Sequence, residues 1–340
     1  MEIKKLESWY LVNQRILPFR ATKNPYHIWV SEILLQQTQV DTGLPYYERF
    51  IKKYPTVKDL AKAPEDELHK MVEGIGYYRR FANMLLAAKE IVDLYDGVFP
   101  NTYEEVIKLP GIGKYTAGAI MSIAFNQPYS ALDGNVIRVL SRYLGVHGDM
   151  KEEKNRKKLD AINQSFLEKA TPEVYTQAMM ELGATVCKTQ NPLCVNCPLN
   201  KTCFAYKNNQ IEQFPEMSKA KAKKEIHFLT LILKNGERYY VGKKEAGLLK
   251  GMYLYPQFEL DSIEDVIEYF KGLGVQIKID GKPKSYKHVF THLTWCMEVF
   301  RAHVISGEIK DYQLVDPDEL QNIPMATAHR KIDVSKEEHQ

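Results

Sequence analysis

The sequence predicts a mainly α N-terminal part followed by an α+β C-terminal domain. Apolar residues recur at helical spacing through residues 1–206, whereas short β-like runs dominate beyond residue 225. Between them, residues 207–225 are polar and rich in lysine, which is typical of a linker. A chain of 340 residues is long enough for domains with separate cores.

The helices of the N-terminal part are predicted from capping residues and from apolar periodicity. Asn24 followed by Pro25 predicts a helix start, and we expect this helix to continue through Gln37 or beyond. Further segments, separated by glycine and proline, predict helices over residues 57–68, 80–94, 103–109, 116–125 and 135–144.

The C-terminal part changes to a strand pattern. Residues 228–233 and 238–241 flank the sequence Lys-Asn-Gly-Glu, which predicts a β-hairpin. Further β-like runs cover residues 253–260, 276–279, 286–290 and 295–304, and one helix is predicted over residues 262–273.

Composition excludes few classes of function. A net charge of +3 is compatible with nucleic acid but too small to indicate it alone. No stretch reaches the length of apolar sequence that a membrane span needs, and the charged N-terminal residues do not resemble a signal peptide. We therefore expect a cytoplasmic protein without membrane partners, in which thiols stay reduced and available to metals.

Four of the five cysteines lie within 17 residues, with the spacing C-x6-C-x2-C-x5-C. These residues are Cys187, Cys194, Cys197 and Cys203. The spacing favours an iron–sulfur cluster, which needs four thiolate ligands. Structural zinc and two disulfides remain alternatives. Zinc sites usually contain two pairs of cysteines with the spacing C-x2-4-C, and only Cys194 and Cys197 form such a pair here.

Residues 109–117, with the sequence LPGIGKYTA, predict two helices joined by a tight turn. Gly111 and Gly113 allow close approach of the backbone to a ligand, and the amide groups at the start of the second helix favour phosphate. Lys114 adds a positive charge. This pattern indicates a helix-hairpin-helix that holds the DNA backbone without reading bases, although an ordinary helix–helix turn is the alternative.

The hairpin, Asp133 about 20 residues later and the cysteine spacing together resemble the endonuclease III superfamily of DNA glycosylases. Within it, residues 25–38 and the string GIGYY at residues 74–78 resemble the adenine DNA glycosylases of the MutY type. The string LLKGMYLYP at residues 248–256 resembles part of their Nudix-like recognition domain.

This resemblance implies the following domains. A helical, barrel-like domain with the helix-hairpin-helix covers residues 22–132, and a helical domain holding a [4Fe–4S] cluster covers residues 1–21 and 133–206. A linker follows at residues 207–225, and a Nudix-like lesion-recognition domain covers residues 226–335. The C-terminal part lacks the R-E-x-x-E-E core of a Nudix hydrolase, so we expect no pyrophosphatase activity.

Glu32 and Asp133 are the candidate catalytic carboxyls. Cleavage of an N-glycosidic bond needs an acid for the departing base and a negative charge near the sugar cation. Glu32 lies on a largely apolar stripe with Ile28 and Leu35, which should raise its pKa, although a solvated glutamate is the alternative. The resemblance implies that Glu32 protonates adenine at N7. Asp133, which is also a typical helix N-cap, would stabilise the sugar cation, with Asn135 orienting it.

Tyr115 determines the predicted reaction type. By resemblance, superfamily members that also cut the strand carry a lysine there, which forms a Schiff base with the sugar. Tyrosine therefore predicts a monofunctional glycosylase that uses water. An endonuclease III-like glycosylase/lyase for oxidised pyrimidines and a non-catalytic iron–sulfur DNA-binding protein are the alternatives.

The resemblance also implies contacts with duplex DNA that contains an 8-oxoguanine:adenine mispair, made by a monomer. The adenine pocket would be lined by Arg15, Phe19, Leu35 and Gln177. The DNA contacts would come from Arg20, Gln37, Tyr77, Gly111, Gly113 and Lys114. Phe19 departs from the tryptophan common in the family, and Tyr77 is alternatively a packed core residue.

Phe290, Thr291 and His292 match the loop that such proteins use to recognise 8-oxoguanine. Threonine replaces the usual serine, which keeps the hydroxyl and adds a methyl group. The alternative is that Phe290 is a core strand residue and His292 an exposed one. Cys296 follows on the next strand pattern and is predicted to be a buried thiol without a role.

Overall fold

The computed structural model describes residues 1–219 and 222–332, which form two compact units. The first contains residues 1–62 and 83–219, and the second contains residues 63–82 with the described residues from 222 on. Residues 220–221 of the predicted linker and 333–335 of the predicted C-terminal domain lie outside the described residues. A helical unit and a unit built on a mixed sheet confirm the predicted fold class.

The first unit is helical throughout the residues described. Its longer helices are α1 (Ile3–Asn13), α2 (Pro25–Leu35), α3 (Val40–Lys53), α6 (Arg79–Tyr95), α8 (Lys114–Phe125), α9 (Gly134–Leu144), α10 (Glu153–Leu167) and α11 (Pro172–Thr185). Its shorter helices are α4 (Val57–Ala61), α7 (Tyr103–Val106) and α12 (Phe204–Lys207), with 3₁₀ turns at Pro18–Arg20, Cys194–Asn196, Asn200–Thr202 and Ile211–Gln213. Helix α5 (Glu65–Met71) belongs to the second unit, and α6 begins there.

Helix α2 begins as predicted and ends earlier. The Asn24 side chain accepts a hydrogen bond from the Tyr26 N–H at 2.9 Å, which caps the helix. The helix ends at Leu35, and Gln37 adopts a left-handed φ of 58°, so the predicted continuation through Gln37 is wrong. The Gln36 side chain donates to Thr116 of α8 at 3.3 Å, a tertiary contact that no local pattern shows.

Helix α9 packs into one of the cores of the first unit. Its apolar face, which includes Val136 and Leu140, lies in one core with residues of α1, α10 and α11. Burial of each such side chain contributes about 1.5–3 kcal/mol to stability. Helix α11 approaches α9 at Gly183, where a Cβ atom would lie 2.5 Å from the Asn135 Cβ. Only glycine permits this approach, which holds the start of α9 in place.

The second unit contains a seven-stranded mixed sheet. Its strands are β1 (Lys224–Asn235), β2 (Arg238–Lys243), β3 (Tyr253–Leu254), β4 (Gln257–Phe258), β5 (Gln276–Val289), β6 (Leu293–Ser306) and β7 (Gln313–Val315). The main order is β3-β2-β1-β6-β5, with β1 and β6 parallel. Helices α13 (Ile263–Gly272), α14 (Pro317–Asn322) and α15 (Thr327–Arg330) complete the unit. The predicted hairpin between β1 and β2 is confirmed.

Four predicted elements are divided or joined in the structure. The predicted helix over 57–68 is two helices, α4 and α5, because Pro64 interrupts the backbone hydrogen bonds. The predicted strand over 253–260 is likewise divided at Pro256 into β3 and β4. The two runs predicted within 276–290 form one strand, β5, with an irregular register in its middle.

Residues 63–82 group with the C-terminal residues, although the predicted domain 22–132 contains them. Two ion pairs hold this segment. Lys243 donates to Asp66 at 2.6 Å, and Arg330 donates to Glu73 at 2.6 Å. Such long-range pairs join residues that no sequence pattern relates, and the predicted domain boundaries themselves stay predictions.

The first part of the predicted linker, residues 207–218, is ordered against the first unit. Phe214 is fully buried, and Glu216 accepts a hydrogen bond from the Gly148 N–H at 2.8 Å. Residues 207–218 of the predicted linker therefore pack with the first unit, and the linker boundaries stay a prediction. None of the described helices combines the length and the apolar character that a bilayer crossing demands.

Candidate active site

A cavity of about 910 Å³ in the first unit brings the predicted catalytic and adenine-pocket residues together. The predicted residues that line it are Arg15, Phe19, Arg20, Glu32, Leu35, Gln37, Tyr115, Asp133, Asn135 and Gln177. Both candidate carboxyls therefore face one hollow, although they lie about 100 residues apart in the sequence. The predicted cleavage of the N-glycosidic bond requires that Glu32 and Asp133 face one cavity, as they do here.

Glu32 projects from the buried helix α2 toward this cavity. Burial raises the pKa of its carboxyl to about 7. The hydrogen bond that Tyr115 donates to Glu32 at 2.5 Å opposes this rise, whereas the neighbouring charge of Asp133 adds to it. A carboxyl with a pKa near neutral pH can donate a proton at that pH, as general acid catalysis requires.

Asp133 caps helix α9, as predicted. One of its carboxylate oxygens accepts a hydrogen bond from the Val136 N–H at 2.7 Å, and the other accepts from the Asn135 side chain at 2.9 Å. Burial raises the pKa of Asp133, while these two hydrogen bonds and the charge of Arg138 oppose the rise. The N–H donors fix the carboxylate at the positive end of a helix, where a negative charge is stabilised.

Tyr115 lies in the first turn of α8 and faces the cavity, whereas Lys114 beside it is exposed. Burial raises the pKa of Tyr115 well above its usual value, and the adjacent carboxyls raise it further. The phenol therefore stays protonated and acts as a hydrogen-bond donor to Glu32. It cannot form a Schiff base.

Glu181 is a site residue that sequence reasoning missed. Its carboxylate is fully buried on α11 and holds Arg15, which was predicted for the adenine pocket, and Arg20, which was predicted as a DNA contact. Arg15 donates to it from Nε at 2.9 Å and from Nη2 at 2.8 Å, and Arg20 donates at 2.6 Å. Burial raises the pKa of Glu181, but the hydrogen bonds from the two arginines outweigh burial and lower that pKa to about 2. Glu181 lies four residues after Gln177, so its position one helical turn along the same face was the available signal.

Arg138 was also missed, and it connects the start of α9 with the cysteine segment. It donates to the side-chain oxygen of Asn135 at 2.8 Å, to the carbonyl of Cys187 at 2.7 Å and to the carbonyl of Gly183 at 2.8 Å. Arg142, one turn further along α9, donates to the carbonyl of Lys188 at 2.6 Å. The spacing of these arginines from Asn135, i+3 and i+7, places all three on one helix face.

The four predicted metal ligands, Cys187, Cys194, Cys197 and Cys203, line one small cavity as free cysteines. No disulfide joins any two of them in the structure. No three of their sulfur atoms lie within 4.8 Å of one another in the part of the chain that the structure describes. Burial raises the pKa of Cys197 to about 12, so these thiols would not ionise together without a cation among them.

The predicted helix-hairpin-helix lies between α7 and α8. Gly111 has a left-handed φ of 76°, and an added Cβ atom would lie 2.6 Å from the Asn83 Cβ. Gly111, Gly113 and Lys114 are all exposed at the start of α8. The geometry thus leaves the first turn of a helix open to a ligand, with a cation beside it.

In the second unit, two residues with different predicted roles contact each other. The hydroxyl groups of Tyr77 and Thr291 form a hydrogen bond. Tyr77 is 45% exposed and adopts a left-handed φ of 53°, which is uncommon for an aromatic residue. Phe290 is half-buried with its ring 5.0 Å from that of Trp295, and His292 is exposed. The structure therefore makes Phe290 an anchor for the loop and leaves Thr291 and His292 open to solvent.

We predict that Glu181→Gln lowers the stability of the protein by about 2 kcal/mol near neutral pH, a value reduced because Arg15 is 36% exposed. The folded-state pKa of Glu181 lies below the unfolded value, so its contribution is present above pH 4.5 and is lost as the pH falls toward about 2. Denaturant unfolding at several pH values would measure this difference.

Glu173→Gln is a matched control on the same helix, since the Glu173 carboxylate holds the exposed Lys23 at 2.7 Å. We expect a change below about 0.5 kcal/mol. Equal stability of Glu181→Gln and wild type at neutral pH would contradict the proposed ion-pair network. A difference in stability between the two proteins that grows as the pH falls would also contradict it.

Comparison with known proteins agrees with the two-part architecture. Residues 30–164 match the HhH-GPD superfamily of base excision DNA repair proteins, and residues 228–333 match the NUDIX domain. The adenine DNA glycosylase of Buchnera aphidicola subsp. Baizongia pistaciae is 38% identical over 84% of this chain and 82% of its own length. The human adenine DNA glycosylase is 41% identical over 61% of this chain and 40% of its own length.

Solved structures resemble the first unit. A thermostable thymine-DNA glycosylase matches with a TM-score of 0.55 and 28% identity over 61% of this chain and 95% of its own. An endonuclease III trapped in a covalent intermediate with DNA matches with a TM-score of 0.52 and 27% identity, over 61% and 94% of the two chains. Together with the paired carboxyls and the similarity to relatives along most of their length, these matches show that the chain belongs to the adenine DNA glycosylase family of DNA N-glycosylases.

Proposed function

We propose that this protein hydrolyses the N-glycosidic bond of adenine mispaired with 8-oxoguanine in duplex DNA. The observation that carries the proposal is the shared cavity of Glu32 and Asp133, in which the pKa of Glu32 is raised to about 7. Two carboxyls with different environments provide the acid and the anion that glycosidic cleavage needs. The target adenine must leave the duplex to enter such a cavity.

Base departure would begin with protonation. Protonated Glu32 gives its proton to adenine, at N7 by family resemblance, and the bond between the sugar carbon and the base nitrogen breaks with its electron pair going to the base. The sugar is left with a positive charge, which the fixed carboxylate of Asp133 stabilises. Asn135 and Val136 hold that carboxylate through their N–H groups. Water then adds to the sugar carbon and releases a proton to a carboxylate in the cavity.

The same geometry supports a monofunctional enzyme. Strand cleavage by a lyase step needs an amine close to the sugar carbon. Tyr115 occupies the position facing the cavity, and the amine of Lys114 lies outside on an exposed surface. The product would therefore be an abasic site in an intact strand.

Contacts with duplex DNA would come from features that recognise the backbone and from features that recognise the lesion. The exposed residues Gly111, Gly113 and Lys114 suit a phosphate. Tyr77 and Thr291 would act at the 8-oxoguanine, since the Thr291 hydroxyl can contact a base while it remains hydrogen-bonded to Tyr77. Arg15 and Gln177 line the cavity that would hold adenine.

The four clustered cysteines would hold a [4Fe–4S] cluster. A single tetrahedral zinc ion, with Zn–S bonds of about 2.3 Å, brings its four sulfur atoms to about 3.8 Å of one another. No three of the four sulfur atoms described here lie within 4.8 Å of one another, which favours the larger cluster. Arg142 donates to the Cys187 sulfur at 3.5 Å, which suits a ligand of negative charge. When bound, the cluster supplies a covalent link between the segments that carry these cysteines.

We predict about four iron and four sulfide ions per chain, since a [4Fe–4S] cluster has this composition. Metal analysis of the purified protein under anaerobic conditions would measure both. One zinc ion per chain without sulfide would contradict the cluster and leave the proposed glycosylase activity untouched.

We predict that Glu32→Gln lowers the single-turnover rate of adenine release at least about 100-fold. The substrate would be a duplex with adenine opposite 8-oxoguanine, with a matched adenine:thymine duplex as reference, and strand cleavage should appear only after alkali. Glu90→Gln, on the exposed side of α6, is the control and should keep the wild-type rate. Release of an oxidised pyrimidine with alkali-independent cleavage would instead favour a glycosylase/lyase.

The pH dependence tests the role of Glu32 separately. The acid is protonated below its pKa of about 7, so the rate should fall about tenfold per pH unit above that value. Tyr115→Phe removes the hydrogen bond that lowers this pKa, so the fall should begin at higher pH. A fall that begins at lower pH in Tyr115→Phe would show that another group is the acid.

We predict that Thr291→Val weakens binding to the 8-oxoguanine:adenine duplex about fivefold, because one hydrogen bond is lost. Binding to a guanine:adenine duplex should change less. Both affinities would be measured in the Glu32→Gln background, in which the substrate stays intact. Tyr269→Phe, which removes an exposed phenol from α13, serves as the control. Equal losses on both duplexes would argue against a role of Thr291 in lesion recognition.

A further inference from the structure

A second group of potential metal-ligating side chains lies on the sheet of the second unit. The ligand atoms of Glu225, His227 and Cys296 all lie within 4.8 Å of one another. We propose that these three residues bind a zinc ion. The inference is independent of the proposed glycosylase function.

The strand register brings the three side chains together. Strands β1 and β6 are parallel, and His227 pairs with Cys296. Glu225 precedes His227 by two residues, so it projects from the same face of the sheet. On the opposite face, Trp295 is buried and its ring lies 5.0 Å from the ring of the half-buried Phe228. The three ligands therefore lie on two hydrogen-bonded strands, and aromatic packing fixes the opposite face of these strands.

Solvent reaches this face of the sheet. Glu225 and His227 are exposed, and Cys296 is half-buried rather than fully buried as predicted. Water can therefore supply a fourth ligand to an ion held by three protein ligands, which is the usual arrangement of open zinc sites. The active site and the four clustered cysteines lie in the other unit.

The donor atoms indicate which metal fits. A thiolate, an imidazole and a carboxylate match the ligand set that zinc prefers. Calcium and magnesium prefer oxygen ligands alone, so a sulfur and a nitrogen donor exclude them as natural occupants. The three donors come from different residue types, and this combination is less common on a surface than a group of acidic residues.

Lys287 shows that this position favours a cation. It lies on β5 opposite Cys296, and its amine donates to the Glu225 carboxylate at 2.7 Å. A bound zinc ion would take over the Glu225 carboxylate and release the amine. Lys287 thus competes with the metal, so its removal should increase the affinity rather than decrease it.

Cobalt is a suitable probe, since a thiolate–cobalt bond gives a charge-transfer absorption that other ligands do not. Full-length protein with its iron content determined would be titrated with Co²⁺, and Zn²⁺ would then displace it. We expect one ion per chain with the thiolate band, no such band in Cys296→Ser, and at least about tenfold weaker Zn²⁺ binding in His227→Ala. Lys287→Gln should bind Zn²⁺ several-fold more tightly.

Glu298→Gln is the matched control, since Glu298 is exposed two residues after Cys296 on the same face. It should leave the affinity unchanged, whereas Glu225→Gln should weaken it. Because every variant keeps the four clustered cysteines, the comparison with Cys296→Ser separates the two sites. A thiolate band of equal intensity in wild type and Cys296→Ser would overturn the proposal. So would Zn²⁺ affinities that are equal in wild type and His227→Ala.

Discussion

The cap that Asp133 places on helix α9 is the interaction on which the active site depends. It satisfies the free N–H of Val136, and it fixes a carboxylate at the edge of the cavity in the same step. The helix that begins there carries Asn135, Arg138 and Arg142 on one side and core residues on the other. The capping of helix α9 therefore positions the Asp133 carboxylate, and the helix places Asn135, Arg138 and Arg142 beside it.

The two carboxyls of the cavity differ because their hydrogen-bond donors differ. Asp133 accepts from N–H groups fixed by the helix, which favour the ionised form. Glu32 accepts a hydrogen bond from the phenol of Tyr115, and burial outweighs this bond, so the neutral form of Glu32 is easier to populate. Negative charge from one carboxyl also raises the pKa of the other. The division of roles thus follows from local structure rather than from residue type.

Much of this site could be predicted from the sequence, because its parts have local signals. The Asn24 cap, the glycine turn at Gly111 and the Asp133 cap are each visible in a few residues. Glu181 gave no such signal, since its role depends on two arginines more than 160 residues earlier in the chain. The end of α2 before Gln37 also depends on a tertiary contact. In the second unit, the parallel pairing of β1 with β6 is equally non-local, and it alone brings His227 beside Cys296.

The contacts of Arg138 link the segment of the four clustered cysteines with Asp133. The Arg138 guanidinium donates to the backbone carbonyl of Cys187 and to the side chain of Asn135, which in turn donates to the Asp133 carboxylate. If the cysteine segment changed its shape, this arginine would lose one of its acceptors, and Asn135 would then be less restrained. Loss of the proposed cluster would in that case reach the proposed catalytic carboxylate through three consecutive hydrogen bonds. A protein without the proposed cluster would then be impaired in the proposed chemical step.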